Sequence, residues 1–349
     1  MSFRNAGKTF NDIDHIFITH AHNDHTADLE SILSLLHDYN EDIIGHRFSE
    51  KENSIYIKMM KKYPKKDESE IKEKVEQAYQ YSPRRKRLRI YVSPGAKEKC
   101  GFLKLGSKQE YEVITLNTRQ VNYKDDLATF LNGGVKIPYD VDKYIDVYPI
   151  PAKHDDLMTD VDCFGYVVSF MPEKKLLWYT GDTGFIEEHE QELSHIRDLL
   201  VLNFGFQPQN MSQYKGMILL AHIGGFKPDE QYYYRSNSKK AFYKYHLGRL
   251  GLCKLLECLT PAVCLISEFG EEFEGCRKDL VDIYNSSYTD SIILPADIGL
   301  IVRFNDNNIT QADFDVEISK DIYAEIGNVA FVEEPDAETK EMIIKFSPV

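Results

Sequence analysis

The chain has no run of 18 apolar residues, no C-x-x-C pair, no glycine-rich phosphate loop and no surplus of basic side chains. Each absence removes a class of protein. Without a long apolar run there is no candidate membrane-spanning helix, and no membrane partner is expected. Without G-x-x-x-x-G-K-[ST] there is no P-loop to cradle nucleotide phosphates. The six cysteines (Cys100, Cys163, Cys253, Cys258, Cys264 and Cys276) lack paired spacing, and some stand in apolar stretches such as PAVCLIS. They read as buried free thiols of a reducing compartment rather than a disulfide framework. The opening MSFRNAGKTF has no apolar h-region, so no secretory signal is expected and the predicted location is cytoplasmic. Lysine and arginine number 42 against 56 acidic residues, a formal net charge of -14. That excludes a protein that coats nucleic acid by overall positive charge, although a local basic patch is compatible with it.

What is present is globular. Of 349 residues, 42% are hydrophobic and 28% charged, enough for one large domain with insertions or two modest ones. Residues 14–19, DHIFIT, form a short β-rich run. After residues 20–25, Leu29, Ile32, Leu33 and Leu36 recur at i, i+3, i+4 and i+7, the period of an amphipathic helix. From about 47 to 89 charged residues dominate. There Asp67 and Glu70 have capping-box spacing ahead of an apolar stripe at Ile71, Val75, Ala78 and Tyr79, which predicts a helical insertion. The insertion closes on the most basic run of the chain, Arg84-Arg85-Lys86-Arg87-Leu88-Arg89. LRIYVS, YEVITL, YIDVYPI, CFGYVVSF, KLLWYT, AVCLIS, LIVRF and MIIKF read as strands, and helical patterns stand near 187–200 and 247–259, the latter stopped by Pro261. Strands alternating with helices predict an α/β or α+β fold, with helices covering sheets.

The chemistry concentrates in Thr19-His20-Ala21-His22-Asn23-Asp24-His25, which puts three imidazoles and a carboxylate into one strand-to-helix turn. A polar turn that only needs hydrogen bonds has no use for that many ligands. Imidazole with carboxylate suits zinc, with manganese and iron also feasible.

This H-x-H-x-D-H string resembles the signature of the metallo-β-lactamase fold superfamily, and its layout is closest to RNase Z-like members. The resemblance implies an α/β fold, an αββα sandwich, holding two divalent metal ions. It also implies later ligands in a fixed order: a loop histidine after a strand, matched by His154 in YIDVYPIPAKH, and a bridging aspartate, matched by Asp182 in KLLWYTGDTGF. Gly181 and Gly184 are expected to turn the backbone beside it. On this pattern His20, His22 and His154 hold one cation, Asp24 and His25 the second, with Asp182 shared. Two cations depress the pKa of a bound water, and Asp24 can accept its proton. His246, in KYHLGRLG, stands where RNase Z-like members carry a histidine beside the scissile group, and is read as a proton donor.

Two features depart from the pattern. The family usually closes its ligand set with a histidine at a strand end, whereas this chain has Glu268 there, in CLISEFGEE, with His222 in LLAHIGGF as a rival. A carboxylate in that place favours manganese or iron. The histidine cluster also begins at residue 20, whereas family members carry several strands before it. An N-terminally abbreviated sandwich is therefore expected, its sheet completed by the C-terminal strands, a partner chain or a second copy. Residues 1–291 are read as the metallo-β-lactamase-like domain, with the insertion at 47–89, and 292–349 as a strand-rich extension packed on it.

The expected activity is metal-dependent hydrolysis, foremost of a phosphodiester in a nucleic acid or nucleotide, with Arg84, Arg85 and Arg87 as candidate phosphate contacts. Tyr232-Tyr233-Tyr234-Arg235 is a weaker candidate for stacking on bases. A carboxylic ester, lactone or thioester hydrolase is the alternative, since one scaffold hosts many chemistries. A third reading is a metal-binding subunit active only inside a multi-protein complex.

Overall fold

The computed structural model describes residues 12–40, 60–64, 67, 69–71, 86–105, 110–116, 127–140, 143–154, 163–170, 173–185, 187–206, 214–225, 246–269, 276–296, 300–304, 314–318 and 342–345. The chain divides into two compact units, residues 7–116 and residues 117–349. Among the described residues no helix is long and apolar enough to cross a membrane, and all six cysteines are free thiols.

In the first unit, β1 (His15–Phe17), β2 (Leu88–Val92) and β3 (Tyr111–Thr115) form an all-parallel sheet in that order. Parallel strands must be joined by crossovers, and here the helices lie in those connections. A one-turn helix α1 (Asn23–Thr26) follows β1, then a longer helix α2 over residues 29–40. The apolar stripe read from sequence does what its period requires: Leu29, Leu33 and Leu36 pack on Leu88, Ile90 and Val92. After β2 comes α3 (Pro94–Lys99), where Ser93 accepts from the Ala96 N–H at 3.1 Å and Pro94 takes the first turn. A short α4 (Phe102–Leu105) leads on to β3.

Asn40 and Lys86 mark where the charged insertion leaves and returns. The buried Asn40 amide donates to the Lys86 carbonyl and accepts from the Lys86 N–H, both at 3.0 Å, so one side chain replaces a strand pair across that opening. Inside the insertion, residues 60–62 and 69–71 are helical. Asp67 Oδ1 accepts from the Glu70 N–H at 2.8 Å, the N-cap that the spacing predicted, and Ile71 is fully buried. The end of the basic run enters a strand. Arg89 belongs to β2 and pairs with Glu112 at 3.4 Å, Lys86 pairs with Asp14 at 2.9 Å, and Arg87 is exposed. Arg84 and Arg85 lie outside the described residues.

The second unit opens with α5 (Leu127–Asn132) and carries a seven-stranded mixed sheet. Its strands are β4 (Val135–Asp140), β5 (Lys143–Pro151), β6 (Phe164–Phe170), β7 (Lys175–Tyr179), β8 (Met217–His222), β9 (Val263–Ser267) and β10 (Ile292–Pro295). They lie in the order β10-β9-β8-β7-β6-β5-β4. From β4 to β7 neighbours are antiparallel, and from β7 to β10 they are parallel. Each parallel step is bridged by a helix: α6 (Glu187–Asn203), α7 (Arg249–Leu259) and α8 (Arg277–Ser287). All three bury apolar residues against one sheet face, around the fully buried Trp178. Thr260, left-handed at φ 47°, closes α7 just before Pro261.

In this sheet the four expected strands β5, β6, β7 and β9, and both expected helices α6 and α7, are where the periodicity put them. β4, β8, β10 and the helices α5 and α8 were not anticipated. β4 contains Pro138, which a central strand rejects, but it is an edge strand with a register shift at that point. The strands β11 (Leu300–Phe304), β12 (Phe314–Ile318) and β13 (Met342–Lys345) form a separate antiparallel sheet. Its Val302 packs on Ile218, Ala262 and Val263, on the sheet face opposite the helices.

β5 and β7 run in the same direction as β8 and β9, so the C-terminal ends of all four strands lie along one edge of the sheet. His154, Asp182, His222 and Glu268 stand at or just past those ends. Such an edge is the customary place for a site in an α/β sheet.

Candidate metal centre

In the first unit the cluster forms because β1 stops at Phe17 and α1 starts at Asn23, leaving His20 and His22 in an extended turn. His22 caps the helix with φ -64° and ψ 152°, and its carbonyl accepts from Thr26 Oγ1 at 2.9 Å. The donor atoms fall into pairs. His20 Nε2 and His22 Nδ1 face each other at 2.9 Å, while His25 Nε2 lies 3.7 Å from Asp24 Oδ2. Thr19, which the ligand pattern does not single out, holds two of the rings. Its Oγ1 lies 3.1 Å from His20 Nδ1 and 3.3 Å from His25 Nδ1, which leaves both Nε2 atoms to point elsewhere.

In the second unit the turn after β7 is built around Thr180-Gly181-Asp182-Thr183-Gly184. Gly181 adopts φ 60°, a conformation a side chain would strain, as expected. Gly184 takes another role: it forms an antiparallel bridge with Lys153, whose N–H also donates to Thr183 Oγ1 at 2.8 Å. That bridge ties the loop carrying His154 to the loop carrying Asp182. Thr180 Oγ1 accepts from the His222 N–H at 3.1 Å and donates to the Gly181 carbonyl at 2.8 Å, linking β8 to the same turn.

Asp182 is the hub. Only 4% exposed, it sets Oδ1 at 3.1 Å from His222 Nδ1 and Oδ2 at 3.8 Å from His246 Nδ1. Glu268 Oε2 reaches the same His222 Nδ1 at 2.9 Å. Burial alone would lower the pKa of His222, but hydrogen bonds and charge from Asp182 and Glu268 outweigh it and push it up to about 9. His154 and His246 meet edge to face at 4.9 Å. Space for the His246 ring exists because residue 224 is glycine: a Cβ there would lie 2.4 Å from the ring's Cγ.

Two donor groups result, His154 with Asp182 and His246, and Asp182 with His222 and Glu268, their ligand atoms within 4.8 Å of one another in each. Mixed imidazole and carboxylate donors at this separation, with a buried carboxylate common to both groups, suit divalent cations. The sequence posed Glu268 and His222 as rivals; both stand beside Asp182. Tyr232, Tyr233, Tyr234 and Arg235 lie outside the described residues.

No family profile matches the chain, and no curated protein matches it. Among solved structures it is similar to the short form of human tRNase Z, at 12% identity and TM-score 0.39, over 76% of each chain. It is similar to a metallo hydrolase from Ignicoccus hospitalis at 12% and TM-score 0.39, covering 82% of this chain and 76% of that one. It is also similar to unliganded yeast PDE1 at 12% and TM-score 0.42, covering 81% and 66%. In its mixed α/β architecture and in the order histidine cluster, loop histidine and glycine-flanked aspartate, the chain resembles the metallo-β-lactamase fold hydrolases, and it departs from them in having Glu268 at the last strand end.

Proposed function

We propose that this chain is a metal-dependent hydrolase with a two-cation centre, and that its substrate is a phosphodiester in RNA, DNA or a cyclic nucleotide. The observation that carries this reading is Asp182, buried, with its two oxygens turned to two different imidazoles and common to both donor groups. A buried carboxylate placed in both donor groups could be held in common by two cations. Motif order supports one cation on His20, His22 and His154 and another on Asp24, His25 and the Glu268–His222 end, with Asp182 between them. The pairing of His20 with His22 and of Asp24 with His25 agrees with that division. When bound, the cations supply a water activated near neutral pH and polarise the electrophile. Zinc suits the imidazole-rich donors, manganese or iron the carboxylate-rich ones.

The protein's own groups move the protons. Asp24, with its side chain 76% exposed, accepts from the attacking water. His246, beside Asp182, donates to the departing oxygen. It sits at the start of α7, whose N-cap is Gly248 with no side-chain bond to the first turn. The positive end of a helix dipole favours a phosphate.

A carboxylic ester, lactone or thioester remains the second reading, because Lys86 and Arg89 of the basic run are engaged by Asp14 and Glu112. The test is turnover of single-stranded RNA and DNA, cyclic nucleotides, an aryl phosphodiester and an aryl ester by protein loaded with Mn²⁺ or Zn²⁺, with His22→Ala and Asp182→Asn alongside. Diester cleavage lost in both variants supports the proposal. Turnover of the carboxylic ester without any diester transfers the assignment to the second reading, and no turnover of either overturns both.

A further inference from the structure

We infer that His222 and Glu268 act together, with Asp182, as a carboxylate-rich cation position that selects a hard divalent metal such as Mn²⁺ over Zn²⁺. The inference rests on the two-cation reading above and adds which side chains complete it and which metal they choose.

Two carboxylates converge on one imidazole nitrogen. An imidazole Nδ1 carries one N–H at most, yet Asp182 Oδ1 stands at 3.1 Å and Glu268 Oε2 at 2.9 Å from that one atom. An ordinary histidine–carboxylate pair is complete with the first of these. The second brings two carboxylates within 4.8 Å of each other beside a side chain that is 5% exposed. Two carboxylates converging on one ring nitrogen draw positive charge to that point, which the ring's own proton or, in its place, a divalent cation can supply.

The chain also strains itself to bring Glu268 there. In the β8–β9 register His222 is opposite Ser267, so Glu268 is the first residue past the strand pair. It takes φ 50°, left-handed and rare for a glutamate. Non-glycine residues held in that region cluster where function over-determines the backbone. On the other side Tyr179 meets the His222 ring edge to face at 4.9 Å and fixes its plane. One imidazole with two carboxylates is a harder donor set than the three imidazoles His20, His22 and His154, and harder ligands favour Mn²⁺ or Fe²⁺ relative to Zn²⁺.

The experiment uses the full chain, stripped of metal, as wild type, Glu268→Gln, Glu268→His and His222→Gln. Bound Mn²⁺ is counted by electron paramagnetic resonance, and Zn²⁺ displacement by metal analysis after dialysis. Wild type is expected to take two Mn²⁺. Glu268→Gln is expected to weaken one of them by about 10- to 100-fold. Glu268→His is expected to keep two cations while Zn²⁺ displaces Mn²⁺ far more readily, and His222→Gln to weaken the same Mn²⁺ as Glu268→Gln. Because the Glu268 side chain is 53% exposed, its variants should fold, which circular dichroism checks. If wild type binds two cations and the Glu268 variants match it in number, affinity and selectivity, this inference falls while the two-cation reading stands. If wild type binds none, both fall.

Discussion

His222 Nδ1 lies 3.1 Å from Asp182 Oδ1, although the two residues are 40 apart in sequence and sit at the ends of neighbouring parallel strands. Parallel pairing makes this contact. β7 and β8 run the same way, so the turn after one and the last residue of the other are held side by side. Both groups are buried, and neither could hold a charge there alone. Fixing their relative position is therefore the work of the whole strand pair, and of Thr180 beneath it.

Thr19 should govern cation affinity without touching substrate. Its hydroxyl faces the Nδ1 atoms of His20 and His25, fixing which nitrogen of each ring is presented. Thr19→Val keeps the shape and removes the hydroxyl. Cation affinity is expected to fall by about 10- to 100-fold, the usual effect of removing a group that orients a ligand. Thr19→Ser should restore most of it. Calorimetric titration with Zn²⁺ and Mn²⁺ reads both, and unchanged affinity in Thr19→Val would remove the orienting role.

Gly224 should act on His246 alone. A methyl group at residue 224 would have to occupy the space of the His246 Cβ and Cγ, at 2.5 and 2.4 Å. Gly224→Ala is therefore expected to displace that ring and lower kcat by about 10²-fold, the contribution of a positioned proton donor. Cation content should stay at the wild-type level. The accompanying overpacking should cost about 1–3 kcal/mol in a denaturant melt. Loss of bound metal in this variant would instead make His246 a ligand.

Much of this was legible in the sequence, and the reasons differ by residue. The histidine cluster was plain because its side chains are adjacent in the chain. Leu29, Leu33 and Leu36 were plain because a helical period exposes its buried face. Asp182 and His154 needed motif order as well as residue type. The Glu268 and His222 question was not legible, because their meeting depends on a strand register, and no residue pattern encodes that register locally. β8 was missed for a related reason: MILLAH is buried on both faces and has no alternation to read. Nor does LNTRQVNY look like a linker, so the division between residues 116 and 117 left no trace in composition.

Asn40 should hold the charged insertion closed. Its amide makes two bonds to the Lys86 backbone while nearly fully buried. Asn40→Ala leaves the Lys86 N–H and C=O without those partners, at a cost of about 1–3 kcal/mol. Limited proteolysis is expected to cut within residues 41–85 faster in the variant than in wild type, with the second unit's cleavage rate unaltered. Equal rates would mean that something else closes the opening.

Asp146 should destabilise the protein at neutral pH. It lies on β5 opposite Ser169 of β6, both nearly fully buried, and neither its Oδ1 nor the Ser169 hydroxyl has a hydrogen-bond partner. Burial raises its pKa, only partly countered by Lys136 across the β4–β5 pair. The sign follows. Below the ordinary carboxylate value, near pH 4, the group is protonated folded or unfolded and costs nothing extra. As pH rises through the higher folded value, the unfolded chain ionises more readily than the folded one, so stability is lost and stays lower at pH 7. Asp146→Asn removes the charge and keeps the shape. It is expected to stabilise by about 1–3 kcal/mol at pH 7, the range for an unsatisfied buried group, with the gain shrinking toward pH 4. Urea melts of metal-free wild type and variant between those two pH values measure the difference. A constant difference across that range would mean that the Asp146 charge is compensated in the folded state.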